Sequence, residues 1–234
     1  DGNLNYGRGL TALGVQGRTR LDGSSNAAEL TLDVAYFYGF INADGKTDFH
    51  PLSHEARDRA GRHLYLGQAF AGYKVRVSDA SLGARLGNQI LRWSDSAVFG
   101  YSIAPVNPIS ASRRYQPGNT GAEYYVGLPM LSGRAELASR WTIQGFYLLG
   151  FEPTETEASG TFLSGNDYYS PGGRYVQLGF GSPLVPDTDS SVTRPDTRFG
   201  SRVPRAADRK PGSGGQFGVR IETPELGEAK AVLA

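Results

Sequence analysis

The feature that most constrains this chain is the rhythm of its connections. Strand-like runs come in pairs, joined within a pair by a short polar turn and between pairs by a long loop rich in Gly, Pro and Asp. The short turns fall at 22–27, 78–81, 138–140 and 224–227, the long connections at 43–62, 94–125 and 152–214. An antiparallel up-and-down sheet with short turns on one rim and long loops on the other has this rhythm, and transmembrane β-barrels are built that way. A soluble β-sheet binding module would also alternate, but nothing would require the strict pairing of turn lengths.

The runs themselves read as strands at 9–21, 29–42, 63–77, 82–93, 126–137, 141–151, 216–222 and 228–234. In 29–42, Leu30, Leu32, Val34, Tyr36, Tyr38 and Phe40 share one face, opposite Thr31, Asp33, Ala35, Phe37 and Gly39, which is the period of a half-buried strand. The same split sets Leu13, Val15, Thr19 and Leu21 against Gln16, Arg18 and Arg20, and Trp141, Ile143, Tyr147 and Leu149 against Thr142 and Gln144. Phe217, Val219 and Ile221 likewise oppose Gly218, Arg220 and Glu222. Two runs resist assignment. In 63–77, Leu64, Leu66 and Phe70 compete with Tyr65, Ala69 and Tyr73, and in 82–93 Asn88 interrupts an apolar row of Leu82, Ala84, Leu86 and Ile90 that opposes Arg85 and Gln89. A short internal strand is predicted at 174–180, inside the longest connection, which could fold inward as a partial plug.

Composition narrows the class. Cysteine is absent, so neither a disulfide framework nor a thiolate metal site can form. Lys and Arg number 24 against 23 Asp and Glu, so no overall field favours nucleic acid. With 32 Gly, 13 Tyr and 11 Phe, the chain is glycine-rich and aromatic-rich, as β proteins are. No stretch approaches the ~20 apolar residues of a spanning helix, whereas a barrel carries its apolar surface in every second residue and needs only ~9 to 11 per strand. The fold class expected is all-β: an antiparallel, up-and-down transmembrane β-barrel with about eight strands present. Residues 1–10 lack a basic and apolar leader and KAVLA at 230–234 lacks a terminal aromatic. The expectation is therefore one barrel segment over 1–234, without its first strand and its C-terminal strands, with 182–214 a flexible external loop.

Local words add a resemblance. DGNLNYGRGL at 1–10, RLGNQILRWSDS at 85–96, PVNPIS at 105–110, GLPML at 127–131 and GTFLSGNDYYSPGG at 160–173 occur in one order. Together they resemble the proteobacterial outer-membrane family called domain of unknown function 1302, with its D-G-N-L-N-Y word, its R-x-G-x-Q-x-x-x-W-G-E-S word and an N-P segment after it. The resemblance covers most of the chain to about residue 180 and departs at Trp93-Ser94-Asp95-Ser96, where the family tends to W-G-E-S. It implies a barrel in the outer membrane of a Gram-negative envelope, in contact with membrane lipid and lipopolysaccharide, and often encoded near envelope exporter or lipid-trafficking components.

Residues that could carry chemistry are few. His50 and His54 have i, i+4 spacing beside Glu55, but Pro51 disfavours a helix through them and the segment reads as a solvated loop. Asn42-Ala43-Asp44-Gly45 with Asp48, and Asp187 with Asp189, lack the distal Glu of a calcium loop. Gly100-Tyr101-Ser102-Ile103-Ala104 only half matches a nucleophile elbow and has no base in view. The expectation is no enzyme, no cofactor and no metal. The more informative polar set is the face opposite the apolar one: Arg18, Arg20, Asp33, Arg85, Gln89, Gln144, Arg220 and Glu222. Either these border water and bias a permeant by charge, or they form a salt-bridge lattice filling the interior. Tyr36, Tyr38, Phe40, Trp93, Trp141, Tyr147 and Phe151 are expected as interfacial anchors. The function expected is a passive, porin-like outer-membrane channel for small hydrophobic or amphipathic compounds; the alternative is a non-transport surface protein whose long loops bind a partner.

Overall fold

Turn spacing converts directly into topology. The computed structural model describes residues 9–20, 26–44, 52–93, 106–114, 124–165, 168–177, 202–224 and 232–233. Within them the chain runs β1 (Gly9–Arg20), β2 (Ala27–Tyr38), α1 (Phe40–Ala43), α2 (His54–Ala60), β3 (Arg62–Val77), β4 (Ala80–Gln89), α3 (Ala111–Arg114), β5 (Leu128–Glu136), β6 (Thr142–Leu148), β7 (Tyr175–Gln177), β8 (Arg202–Pro204), β9 (Phe217–Glu222) and β10 (Val232–Leu233). Eight of the strands form one sheet in the order β1-β2-β3-β4-β5-β6-β9-β10, every pair antiparallel. The protein is thus an all-β, up-and-down antiparallel structure whose sheet is open at β1 and β10. Among the described residues no helix is long and apolar enough to cross a membrane.

The two faces of the sheet differ as the alternation predicts. On β2, Leu30 is 61% exposed and its neighbour Thr31 only 4%. Leu32, Tyr36 and Tyr38 accompany Leu30 on the exposed face, while Ala35 and Phe37 are buried on the other. Register carries the split across the sheet, because residues paired directly across a ladder share a face. Leu30, Ala71, Leu86, Leu131, Tyr147 and Phe217 therefore form one outward row. Over β2 to β6 and β9 the outward positions carry no charged side chain below Arg62, which pairs with Tyr38 at the long-loop rim.

The unassignable run is explained by a bulge. Leu32 pairs with Ala69 but Val34 with Leu66, so Gly67 and Gln68 together oppose Asp33. An extra residue inverts the side-chain parity of the strand beyond it. Leu64 and Leu66 thus point outward together with Tyr73 and Val77, and Tyr65 points inward together with Phe70 and Lys74. Asn88 breaks the apolar row for the same reason. Pairing of β3 with β4 starts only at Ala69, leaving carbonyls above it without ladder partners, and Asn88 Nδ2 donates to Gly67 O at 2.8 Å and to Leu66 O at 3.4 Å. Gly87, opposite Phe70, has φ 133°, and a Cβ there would collide with Ala69 O and Phe70 Cα.

Several boundaries differ from expectation. The second run ends at Tyr38, because α1 turns the chain at Phe40, and the fourth ends at Gln89 rather than Trp93. The solvated loop expected over 43–62 contains α2, which begins at His54: Ser53 Oγ accepts the Ala56 N–H as N-cap and Glu55 occupies the first turn, while Pro51 lies outside the described residues. Within 174–180, β7 spans 175–177 and pairs with β8 in a separate two-stranded sheet. The stretch expected as an external loop at 182–214 thus contains β8, and its part at 182–201 lies outside the described residues, as does the missing-strand reading.

Replacing Gly87 by Ala should cost about 1 to 3 kcal/mol, since it adds both an unfavourable φ and a backbone collision. Gly17→Ala, where a Cβ would meet nothing within 4 Å, serves as the control. Urea unfolding midpoints compare the two, and equal midpoints would discount the proposed constraint at the bulge.

Candidate functional site

The inward positions of the sheet fall into rows fixed by register. The row nearest the short turns contains Arg76, Ser81, Glu136, Thr142 and Glu222; the next contains Arg20, Ala27, Lys74, Gly83, Arg134, Gln144 and Arg220; the third contains Arg18, Glu29, Gly72, Arg85, Ser132, Phe146 and Gly218. Above them the composition changes. The fourth row reads Gln16, Thr31, Phe70, Gly87, Met130 and Leu148, and Leu128, Met130 and Leu148 form a buried cluster with Leu91 and Phe146. The inner face is therefore divided along the strands into a charged belt and an apolar zone.

Ion pairs in the belt reach over intervening strands. Arg85 Nη2 lies 2.9 Å from Glu29 Oε2, although β3 separates β4 from β2. Alternate strands are about 10 Å apart, so the bridging side chain must cross the strand between them. Gly72 is the residue it crosses, and a Cβ there would press against Arg85 Cγ. Lys74 similarly approaches Glu136 at 3.7 Å across β4, and Arg134 Nε meets the same carboxylate at 2.8 Å. Arg220 and Glu222 pair at 2.6 Å. A cavity of about 790 Å³ lies against this belt, bordered by five cations (Lys74, Arg76, Arg85, Arg92, Arg134) and two carboxylates (Glu29, Glu136).

All eight predicted inner residues share this face by register, although the side chains of Arg18 and Arg20 lie outside the described atoms. Arg85 and Gln144 border the cavity, and Arg220 and Glu222 continue the belt beside it. Gln89 is instead structural: its Nε2 donates to Met130 O at 2.9 Å and its Oε1 accepts from Ser132 Oγ at 2.6 Å. Asp33 stands alone opposite the bulge, above the belt. Sequence reasoning missed Glu29, Lys74, Arg76, Arg134 and Glu136. The bulge hides the parity of Lys74 and Arg76, and Gly133 and Pro129 leave the fifth run without an obvious apolar face; the cross-strand partners of Arg85 and Gln144 would have been the only signal.

At the long-loop rim a described segment packs on the inner side. Asn107 Oδ1 accepts the Leu91 N–H at 2.7 Å, and its Nδ2 donates to Gln89 O at 2.7 Å and Val126 O at 2.8 Å, so one buried side chain ties the ends of β4 and β5 together. From there the chain reaches inward to α3, where the Arg113 guanidinium sits 4.7 Å from the Tyr65 ring and 3.6 Å from Glu155. Burial pulls the Arg113 pKa below its ordinary value, opposed by Glu155 and Tyr65, and a guanidinium so placed remains charged at neutral pH. Arg59 meets Glu155 at 3.1 Å, which links α2 to the same cluster. The segment 106–114 of the second long connection is thus joined on the inner side by Glu155 from the start of the longest connection, and Ala158, also of the longest connection, packs with Leu52 and with Ala56 of α2.

Trp93 requires a correction. Expected as an interfacial anchor, it is only 7% exposed and packs against Phe146 with ring centroids 5.2 Å apart, on the inner face beside Gly218. Trp93 keeps the odd-numbered, inward parity of Arg85 and Gln89, so the anchor expectation follows from its residue type and runs against the alternation. Tyr36, Tyr38, Trp141 and Tyr147 are exposed outward, Phe40 is exposed at the start of α1, and Phe151 is half-buried. Phe217, paired with Tyr147 and 73% exposed, joins the outward rings. Of the histidines considered for metal, His54 begins α2 and its Nδ1 lies 3.0 Å from Asp58, while His50 is outside the described residues.

Asn107→Ala should destabilise the protein by about 2 to 4 kcal/mol, because three hydrogen bonds go and buried backbone groups lose their partners. Hydrogen exchange at Leu91 should accelerate in the variant. An unchanged rate there would mean that Asn107 does not hold the rim.

No curated protein and no solved structure matches this chain. The residues that carry the ordered words described above nevertheless have defined places: Arg85, Gly87, Gln89 and Trp93 all on the inner side, and Asn107 at the rim. A family model described as protein of unknown function (DUF1302) matches residues 1–230, nearly the full length, and the chain therefore belongs to that family.

Proposed function

We propose that this chain forms part of the wall of a β-barrel in the bacterial outer membrane and acts as a passive channel for small hydrophobic or amphipathic compounds. The observation that carries the reading is the contrast between the two faces. Leucine, valine, tyrosine and phenylalanine are exposed on one side of an up-and-down sheet, and a cavity with charged walls lies on the other. In water, so continuous an exposed apolar face would drive association. Hydrocarbon accepts it, and the outward amide of Asn88 is satisfied by the carbonyls it covers.

Twelve residues in β2 fit a tilted crossing with a small excess at the rims. The aromatic positions Tyr36, Tyr38, Tyr147 and Phe217 toward the long loops, and Trp141 by a short turn, suit two interfacial girdles. Lipid does not tolerate an open sheet edge, so the proposal entails partners for the free sides of β1 and β10. The surrounding lipid and lipopolysaccharide are part of the same reading, as is a working relationship with envelope exporter or lipid-trafficking components. A surface role through the long loops is the second reading, favoured by the exposure of Phe162, Tyr168 and Tyr169 in the connection after β6.

Insertion separates the outward face from any buried one. Leu32→Arg should lower the folding free energy into lipid vesicles by about 2 to 4 kcal/mol, with Leu32→Phe close to neutral. Liposome swelling by the unsubstituted protein tests transport. Swelling equal to that of empty liposomes, with the loops still accessible to antibody, would exclude the channel and leave the surface role.

A further inference from the structure

The charged belt and the apolar zone lie one above the other on the same wall, and the belt is not balanced. Both carboxylates at the cavity are already engaged, Glu29 by Arg85 and Glu136 by Arg134 and Lys74. Among the described residues of the belt that line the cavity, four cations (Lys74, Arg76, Arg85 and Arg134) face two carboxylates. Arg76 borders that cavity and has no carboxylate within ion-pair distance among the described residues. Directly across the ladder from it is Ser81, 6% exposed, whose Oγ has no hydrogen-bond partner among the described residues. A buried hydroxyl without a partner is costly, and beside an uncompensated guanidinium it is poised to donate to an anion. Higher on the same face, above the residues that line the cavity, the indole N–H of buried Trp93 has no partner among the described residues, and its ring packs on Phe146.

We propose that the belt selects anions, with Arg76 and Ser81 as the contact for the charged group and the zone of Phe146 and Trp93 as the contact for an apolar body, so that the permeant is an amphipathic organic anion. This rests on the channel reading and gives its substrate class. The excess charge raises the local anion concentration in a low-dielectric wall, and the unpaired donors exchange for water as the anion passes.

The test is conductance of the protein in planar bilayers of neutral lipid under a potassium chloride gradient. The reversal potential should show chloride favoured over potassium by roughly 3- to 10-fold. Arg76→Glu should abolish most of that preference and Arg76→Gln should reduce it, the second variant guarding against misfolding of the first. With 1-naphthalenesulfonate added, the current should be blocked at a concentration roughly tenfold or more below that needed with methanesulfonate. Open channels with no anion preference, or a preference for potassium, would overturn this inference while leaving the channel intact. Anion preference with equal block by the two sulfonates would overturn the apolar contact. No conductance would remove the channel reading and this inference with it.

Discussion

Every part of this structure depends on keeping two chemically different faces apart across strands that have only backbone ladders to align them. Side chains alternate with a period of two, so a slip of one residue in any pair would put arginines where leucines belong. The bulge at Gly67 and Gln68 shows how closely that constraint is met. Without it, one end of β3 would place Leu64 and Leu66 on the charged side or the other end would send Lys74 outward. The extra residue corrects the parity within one strand, and the cost falls on carbonyls left without ladder partners. Asn88 covers them from β4, while Gly127 supplies the space in which that amide fits and Gly87 lets β4 approach Ala69 and Phe70.

The inner face uses the same geometry for a different end. Glycines at inward positions let long charged side chains lie over a strand and meet partners two strands away, as Arg85 does above Gly72. Such pairs are half exposed and contribute little stability singly, but as a lattice they hold side chains at set positions around the cavity. Of the two alternatives for these residues, lining or lattice, the structure contains both elements: Glu29 and Glu136 are paired, and Arg76 faces the cavity beside Ser81. Above the belt the wall becomes apolar and is covered by Trp93 and by the segment pinned through Asn107. This arrangement gives a structural role to the described residues of two of the words shared with the family, those at 85–96 and 105–110. They are the residues that end a strand, turn its aromatic inward and anchor the next loop across the rim.

Much of this was legible in the chain. Wherever a run kept a clean alternation, as in β2, β6 and β9, both the strand and the assignment of its faces agree with the structure, because the burial of one face and the exposure of the other act on each residue independently of distant partners. The failures are equally physical. Trp93 suggests an anchor by its residue type, although it shares the odd-numbered inward parity of Arg85 and Gln89; the strand itself ends where the amide of Asn107, 18 residues from Gln89 in the chain, takes the Gln89 carbonyl. The helix α2 was hidden by Pro51, whose restriction acts on the preceding residue and leaves the helix that Ser53 caps untouched. Lys74 and Arg76 could not be placed, since a bulge becomes visible only when the neighbouring strand is beside it.

The sequence by itself determined the alternation of apolar and polar side chains, the lengths of the turns and hence the up-and-down order of strands, because those depend on local backbone geometry and on chain connectivity. Only the tertiary structure decided which charges meet, where the wall changes from charged to apolar, and which loop reaches inside. Those outcomes depend on register, on one irregular pairing and on hydrogen bonds between segments far apart in the chain, and no local pattern encodes a distance.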